Sequence, residues 1–452
     1  MIACFQLINI GFLIVFSIIV NNPAILLLGG IGLLILMVCS KNIEDSTYKQ
    51  LIISIMISFA FMLLAYWGMI ETYGIPYYGG DDQNFEQFGH QIFQSGIMRF
   101  SAIPYIKGMW YAKGYLLVIA WIERLANLVG EYSTFLPRIL NMYLWLSISV
   151  LTYKRYKNKI ENSHLAKKGL LVLSVFPNAL YISAHVYRDT LVCFLIVVLV
   201  FQFEDLLTVI QRKKISLALV PKIAILISGF YMLYYIRSQM CYCVAAIWVI
   251  GILERRIDLK RIQQTKKYIA LASLFIILLL LMQATGALDL MKVIVNGYSD
   301  LRYSQTSGLS RFIFKTPLLP FGIILRAIWG LVSPFPGEIL QADFLHQPIS
   351  SIVTALVCFG TIYQIFLLPY LIKGLLKLDY ESLRFMVIYV AIIATTFTFR
   401  HFLMIYPFSV EIILREYSTT SLERRRKSLL NVLFTLLIMS SLYLIYFILI
   451  KG

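Results

Sequence analysis

Long apolar runs separated by short polar breaks make up most of the chain. Residues 5–20, 23–39, 51–70, 134–153, 169–186, 190–206, 222–236, 240–253, 268–285, 351–372, 383–399, 402–414 and 429–449 each read as a membrane-crossing helix, about thirteen in all. Such runs are too long for barrel strands, and lipid does not tolerate an open sheet edge. The pattern therefore predicts an all-α fold, a polytopic transmembrane helical bundle. Two further apolar stretches are interrupted. GYLLVIAWIERLANLVG (114–130) carries Glu123 and Arg124 at its middle, and PLLPFGIILRAIWGLVSPFPG (317–337) carries Arg326 and several prolines. Both are expected to lie in the membrane interface as helices that do not cross.

The polar breaks are not alike, and their charge sets an orientation. KRYKNKIENSHLAKK (154–168), QRKK (211–214), ERRIDLKRIQQTKK (254–267) and REYSTTSLERRRK (415–427) are dense in Lys and Arg. The positive-inside bias places all four in the cytoplasm. The parity of the spans then puts the N-terminus inside and leaves two long external segments, roughly 71–133 and 286–350. No internal repeat or low-complexity linker divides the chain, so a single integral membrane domain over 1–452 is expected. The N-terminal stretch lacks a basic start and an A-x-A-like site, and reads as the first span, not a cleaved signal.

Composition agrees with this picture and changes the meaning of the net charge. The 452 residues are 60% hydrophobic and 14% charged, too few charges to cover a soluble surface. A formal charge of +17 would suggest nucleic acid in a soluble protein. Here the basic residues mark cytoplasmic loops and membrane-lipid headgroups, and no nucleic-acid partner is expected. The six cysteines fall inside apolar runs without metal-finger spacing, which suits small core residues.

Under this orientation the unusual polar residues converge on the external face. Asp81, Asp82, Glu86 and His90 stand in YYGGDDQNFEQFGHQ at the start of the first long external segment. His185, Arg188 and Asp189 occupy a tight turn, Arg237 another, and Arg302, Arg311, Arg326, Glu338, Asp343 and His346 the second long segment. Arg400 and His401 cap a later span. A helix is expected from about Asp82, with one aspartate as its N-cap and the other left over. External arginines run against the positive-inside bias, and their planar fork suits phosphate. A carboxylate beside such a phosphate can act as a general base toward a sugar hydroxyl, or hold a divalent ion. The competing structural readings are an Arg188–Asp189 pair at a helix end and arginines that snorkel to lipid phosphate.

An acidic pair in the first long external segment, interfacial helices within it, about thirteen spans, and FPNALYISAHVYRDTLVCFLIVVL (176–199) together resemble the C-type (GT-C) membrane glycosyltransferases. The resemblance covers the architecture of most of the chain, on short motifs. It implies a bacterial plasma-membrane enzyme that takes a sugar or oligosaccharide from a polyprenyl-phosphate or -diphosphate carrier and passes it to a cell-surface glycan or lipid acceptor. Asp82 and Asp81 would be the catalytic pair, holding Mg or Mn if a metal is used. Arg188, Arg237, Arg302 and Arg400 would bind the substrate phosphate, supported by Glu86, His90, Asp189 and His401. A related class is the repeat-unit polymerase of O-antigen or capsule type, with which the spacings Arg311 to Gly322 and Arg326 to Gly337 agree. The alternative of a different class is a lipid-linked oligosaccharide transporter.

Overall fold

The computed structural model describes residues 1–96, 98–100, 113–160, 162–212, 219–256, 296–297, 299–300, 303, 308–317, 321–394 and 398–451. These residues are helical, with no strand among them. They cluster into two compact units, Met1–Val244 with Pro336–Thr361 and Ala245–Phe335 with Ile362–Gly452.

The first unit contains α1 (Ile2–Val20), α2 (Ala24–Ser40), α3 (Asp45–Tyr73), α4 (Gly80–Ser95), α5 (Lys113–Ala126), α6 (Phe135–Tyr156), α7 (Ser163–Ser174), α8 (Pro177–Ser183), α9 (Asp189–Gln211) and most of α10 (Leu219–Arg256). Its centre is α6, which buries Trp145, Leu146, Tyr143 and Arg138 and packs against α2, α9 and α7. Gly32 of α2 makes the closest of these packings possible, because a Cβ there would stand 2.6 Å from Cδ2 of Tyr143. Polar side chains tie the helices at depth: Ser54 and Ser174 hydroxyls lie 2.6 Å apart, and the Asn178 amide donates to Thr361 Oγ1 at 3.0 Å.

Two breaks shape this unit. α7 and α8 meet at 44°, where Phe176 is extended and Pro177, with no N–H to give, starts the new helix at its first position. In α10 the backbone leaves helical geometry at Arg237 alone. Cys241 Sγ nevertheless reaches the Phe230 carbonyl at 3.7 Å. In a straight helix those residues would be separated by about 16 Å along the axis. The chain therefore turns back at Arg237, as expected for two helices joined by a tight turn.

The second unit holds α11 (Gly308–Lys315), α12 (Ile323–Leu331), α14 (Tyr380–Ala394), α15 (Tyr406–Thr419) and α16 (Leu422–Lys451); α13 (Pro348–Leu375) contributes its second half. Arg384 of α14 is buried against Glu411 of α15, under the Phe408 ring. Arg415 pairs with Asp379 at 2.7 Å, and Lys373 and Lys377 with Glu416.

Six helices among the described residues are long and apolar enough to cross a membrane: α1, α3, α6, α9, α10 and α13. The bent pair α7–α8 is a seventh if counted as one span. Other expected spans differ in length from their helices. The run 383–399 holds the 15-residue α14, and 402–414 is divided between a 3-10 turn (Phe399–Met404) and the 14-residue α15. The run 268–285 lies outside the described residues. α5 has 14 residues and α12 nine, both short of the roughly 20 a straight span needs.

Candidate functional site

The opening acidic stretch folds as a tight turn and a helix. Gly79 has φ +150°, a conformation open to glycine, and α4 starts at Gly80. Neither aspartate is the N-cap, because that position falls on Gly79. Asp82, in the first turn, instead reaches back and its Oδ2 accepts from the Tyr78 N–H at 3.0 Å. This resembles the back-reaching half of a capping box, and the helix N-terminus favours its charge. Asp81 is half-buried, whereas Asp82 is fully buried. The two carboxylates thus have different surroundings from the first turn onward.

Behind α4 sits the start of α6. Thr134, Arg138 and Asn141 recur at helical spacing and face one loop cluster. Arg138, with no exposed surface, donates to the Ala184 carbonyl at 2.6 Å, to the Pro76 carbonyl, and to Thr134 Oγ1 at 3.4 Å. Asn141 donates to the carbonyls of His185 at 2.9 Å and Tyr187 at 3.1 Å. One face of α6 thereby fixes both the loop before α4 and the turn between α8 and α9.

That turn places His185 beside Asp82, with Nδ1 3.4 Å from Oδ2. The ring is fully buried among Tyr187, which stacks on it at 5.2 Å, Tyr181 at 4.7 Å and Tyr78 at 6.2 Å. Asp82 Oδ1 and His185 Nε2 make no hydrogen bond, an uncommon state for buried polar atoms. Burial pushes the Asp82 carboxyl up, but His185, the Tyr78 N–H and Arg138 together hold it below the usual range. Burial holds the His185 imidazolium form down, against the pull of Asp82. The pair is therefore a carboxylate next to a neutral imidazole.

Glu86, one turn after Asp82, is also buried and accepts from the Tyr77 hydroxyl. Burial raises its carboxyl above the ordinary value, outweighing Thr134, Tyr77 and Arg138, which lower it. Two carboxylates on one helix are thus driven in opposite directions, the pattern that separates acid from base roles in enzymes.

Of the other expected residues, His90 is exposed and pairs with Glu123 of α5 at 2.6 Å. Asp189, the first residue of α9, is buried and receives Arg237 Nη1 at 2.9 Å. Arg188 donates to the Ile236 carbonyl at 3.2 Å. An ion pair joins Asp189 to Arg237, 48 residues away in sequence. Arg400 and His401 belong to the second unit, where His401 Nδ1 lies 2.6 Å from Thr398 Oγ1. Arg302 lies outside the described residues.

Sequence reasoning missed Arg138, Asn141 and the contact of His185 with Asp82. The available signal was a charged residue and an amide inside an otherwise apolar span. Among the described residues no group of three or more His, Cys, Asp or Glu is arranged to hold a metal ion. Comparison with known protein families, with curated proteins and with solved structures returned no match.

The opposite end of the first unit has another character. Lys154 donates to the carbonyls of Cys39 and Lys41, Lys167 pairs with Glu44, and Arg155 with Glu204 and Asp205. The basic residues of the 154–168 connection thus lie at one end of α2, α3, α6, α7 and α9, and the buried Asp82 cluster lies near the starts of α6 and α9.

Proposed function

We propose that the chain is a membrane glycosyltransferase that moves a sugar or oligosaccharide from a polyprenyl-phosphate or -diphosphate carrier to a surface glycan or lipid acceptor. The observation that carries this reading is Asp82: a buried carboxylate kept ionised, with one oxygen unbonded, beside a neutral histidine and within the field of Arg138. Such a group can take the proton of an acceptor hydroxyl as its oxygen attacks the anomeric carbon and the carrier phosphate leaves. Arg188 and Arg237, on neighbouring turns, supply guanidinium charge for that phosphate, although Arg237 shares its charge with Asp189. The positive-inside bias puts the Lys-rich end in the cytoplasm and the Asp82 end outside, where lipid carriers are the source of activated sugar. In this topology α10 counts as two spans, and α2, the pair α7–α8, α14, α15, α16 and the run 268–285, which lies outside the described residues, complete a bundle of about thirteen.

The test is Asp82→Asn in cells. Transfer to the surface glycan is lost while expression and membrane insertion persist; normal transfer by the Asp81→Asn, Asp82→Asn double variant refutes the reading. One observation favours a second reading. The 44° break between α7 and α8 and the turn at Arg237 are discontinuities of the kind transporters use. Loss of a transporter leaves lipid-linked oligosaccharide in the cytoplasmic leaflet, whereas loss of the transferase leaves it in the outer one.

A further inference from the structure

α16 is apolar along most of its length, yet one stripe of it is polar. Arg424, Lys427, Ser428, Asn431 and Thr435 recur at intervals of three and four residues, so they share a face about 16 Å long. With Val432 they line an open, shallow cavity of about 350 Å³ that Pro369 of α13 also borders. Both cations stand at the end of the stripe where the helix begins, and hydroxyl and amide groups follow toward its middle. No carboxylate lines this cavity. A second cavity shares Arg424 and Lys427 but includes Glu423, which offsets their charge. The flanking Leu430, Phe434 and Leu437 are exposed apolar side chains.

We propose that the cavity between Pro369 and the polar stripe of α16 binds the phosphodiester headgroup of an anionic phospholipid. Arg424 and Lys427 take the phosphate, Asn431 and Thr435 lie level with the glycerol esters, and the acyl chains run along the exposed apolar residues of α16. Cations at the start of a long apolar helix, facing a cavity whose wall carries no carboxylate, are the signature of such a site. A second copy of the chain fits less well, because a paired interface would bring Arg424 and Lys427 against their own like charges. The site is independent of the Asp82 cluster and of the activity proposed for it.

Native mass spectrometry of the purified full-length protein with dioleoyl phosphatidylglycerol and dioleoyl phosphatidylcholine tests this. Phosphatidylglycerol is a net anion and phosphatidylcholine, through its choline, is not, so two nearby cations predict a preference for phosphatidylglycerol of roughly 30-fold, equivalent to about 2 kcal/mol. Arg424→Gln with Lys427→Gln abolishes the preference, while Arg424→Lys with Lys427→Arg keeps it, which separates lost charge from lost fold. Equal retention of the two lipids, or an unchanged preference in the Gln variant, overturns the proposal. So does displacement of phosphatidylglycerol by equimolar inorganic phosphate, which makes the site one for free phosphate. A dimer that the Gln variant alters in place of lipid binding also overturns it, assigning the stripe to a copy-to-copy interface.

Discussion

Replacing Arg138 by Met tests whether this one side chain organises the Asp82 cluster. The substitution keeps much of the volume and removes the charge and every donor. Two carbonyls, that of half-buried Pro76 and that of buried Ala184, lose a charged donor, and Asp82 and Glu86 lose a nearby cation. A hydrogen bond to a charged group contributes about 1.5–3 kcal/mol, so the two together give roughly 3–6 kcal/mol. Breaking a buried ionic arrangement costs about 3–5 kcal/mol by an overlapping count, and the lower range is the better figure because the terms are not additive. At about 2 °C per kcal/mol for a unit of this size, the apparent melting temperature falls by roughly 6–10 °C. The assay is intrinsic-fluorescence unfolding of purified protein in detergent. Arg138→Lys recovers part of the loss, since an ammonium keeps the charge but lacks the planar fork that reaches both carbonyls. A Met variant that melts within a degree of the parent contradicts the assignment.

Three further outcomes follow from the same geometry. Glu86 has a raised folded pKa, so its ionisation penalises the fold above that value and not below the unfolded value of 4.5. Glu86→Gln should therefore raise the melting temperature at pH 7, with the gain vanishing as pH falls below 4.5; a gain that persists in acid refutes the cause. Arg237→Met leaves the Asp189 carboxylate buried without that guanidinium and should cost about 3–5 kcal/mol. Adding Asp189→Asn should restore a large share, read as a coupling in a double-mutant cycle, and strict additivity counts against the pair. Gly114→Ala places a Cβ 2.5 Å from the Tyr235 carbonyl carbon and 2.7 Å from the Ile236 nitrogen, backbone that cannot rotate away. It should destabilise the protein by about 1–3 kcal/mol, and a neutral result in the same unfolding assay means α5 is free to shift.

The helical class, the turn at Arg237 and the short helices 113–126 and 323–331 were legible in the sequence, because each depends on local periodicity and its interruption. The number of spans was less legible. An apolar run does not show whether a helix stays straight, breaks at Pro177 or divides as 399–419 does. At the site, residues in polar loops stood out, and Asp82, Glu86, Arg188, Asp189 and Arg237 all fall in the first unit. Arg138 and Asn141 were hidden because a span was expected to be apolar, and their importance lies in carbonyls of distant loops that carry no side-chain signature. The contact of Asp189 with Arg237 was likewise invisible, because it depends on the chain reversal in α10.

The proposed function makes Asp82 the reacting carboxylate of a transferase, on the membrane side opposite the 154–168 connection. Leaflet-resolved measurement of lipid-linked sugar in cells carrying Asp82→Asn tests it most directly. Loss of the surface glycan, with the carrier-linked donor accumulating in the outer leaflet, is the expected result. Accumulation in the cytoplasmic leaflet, or unchanged glycan, contradicts it.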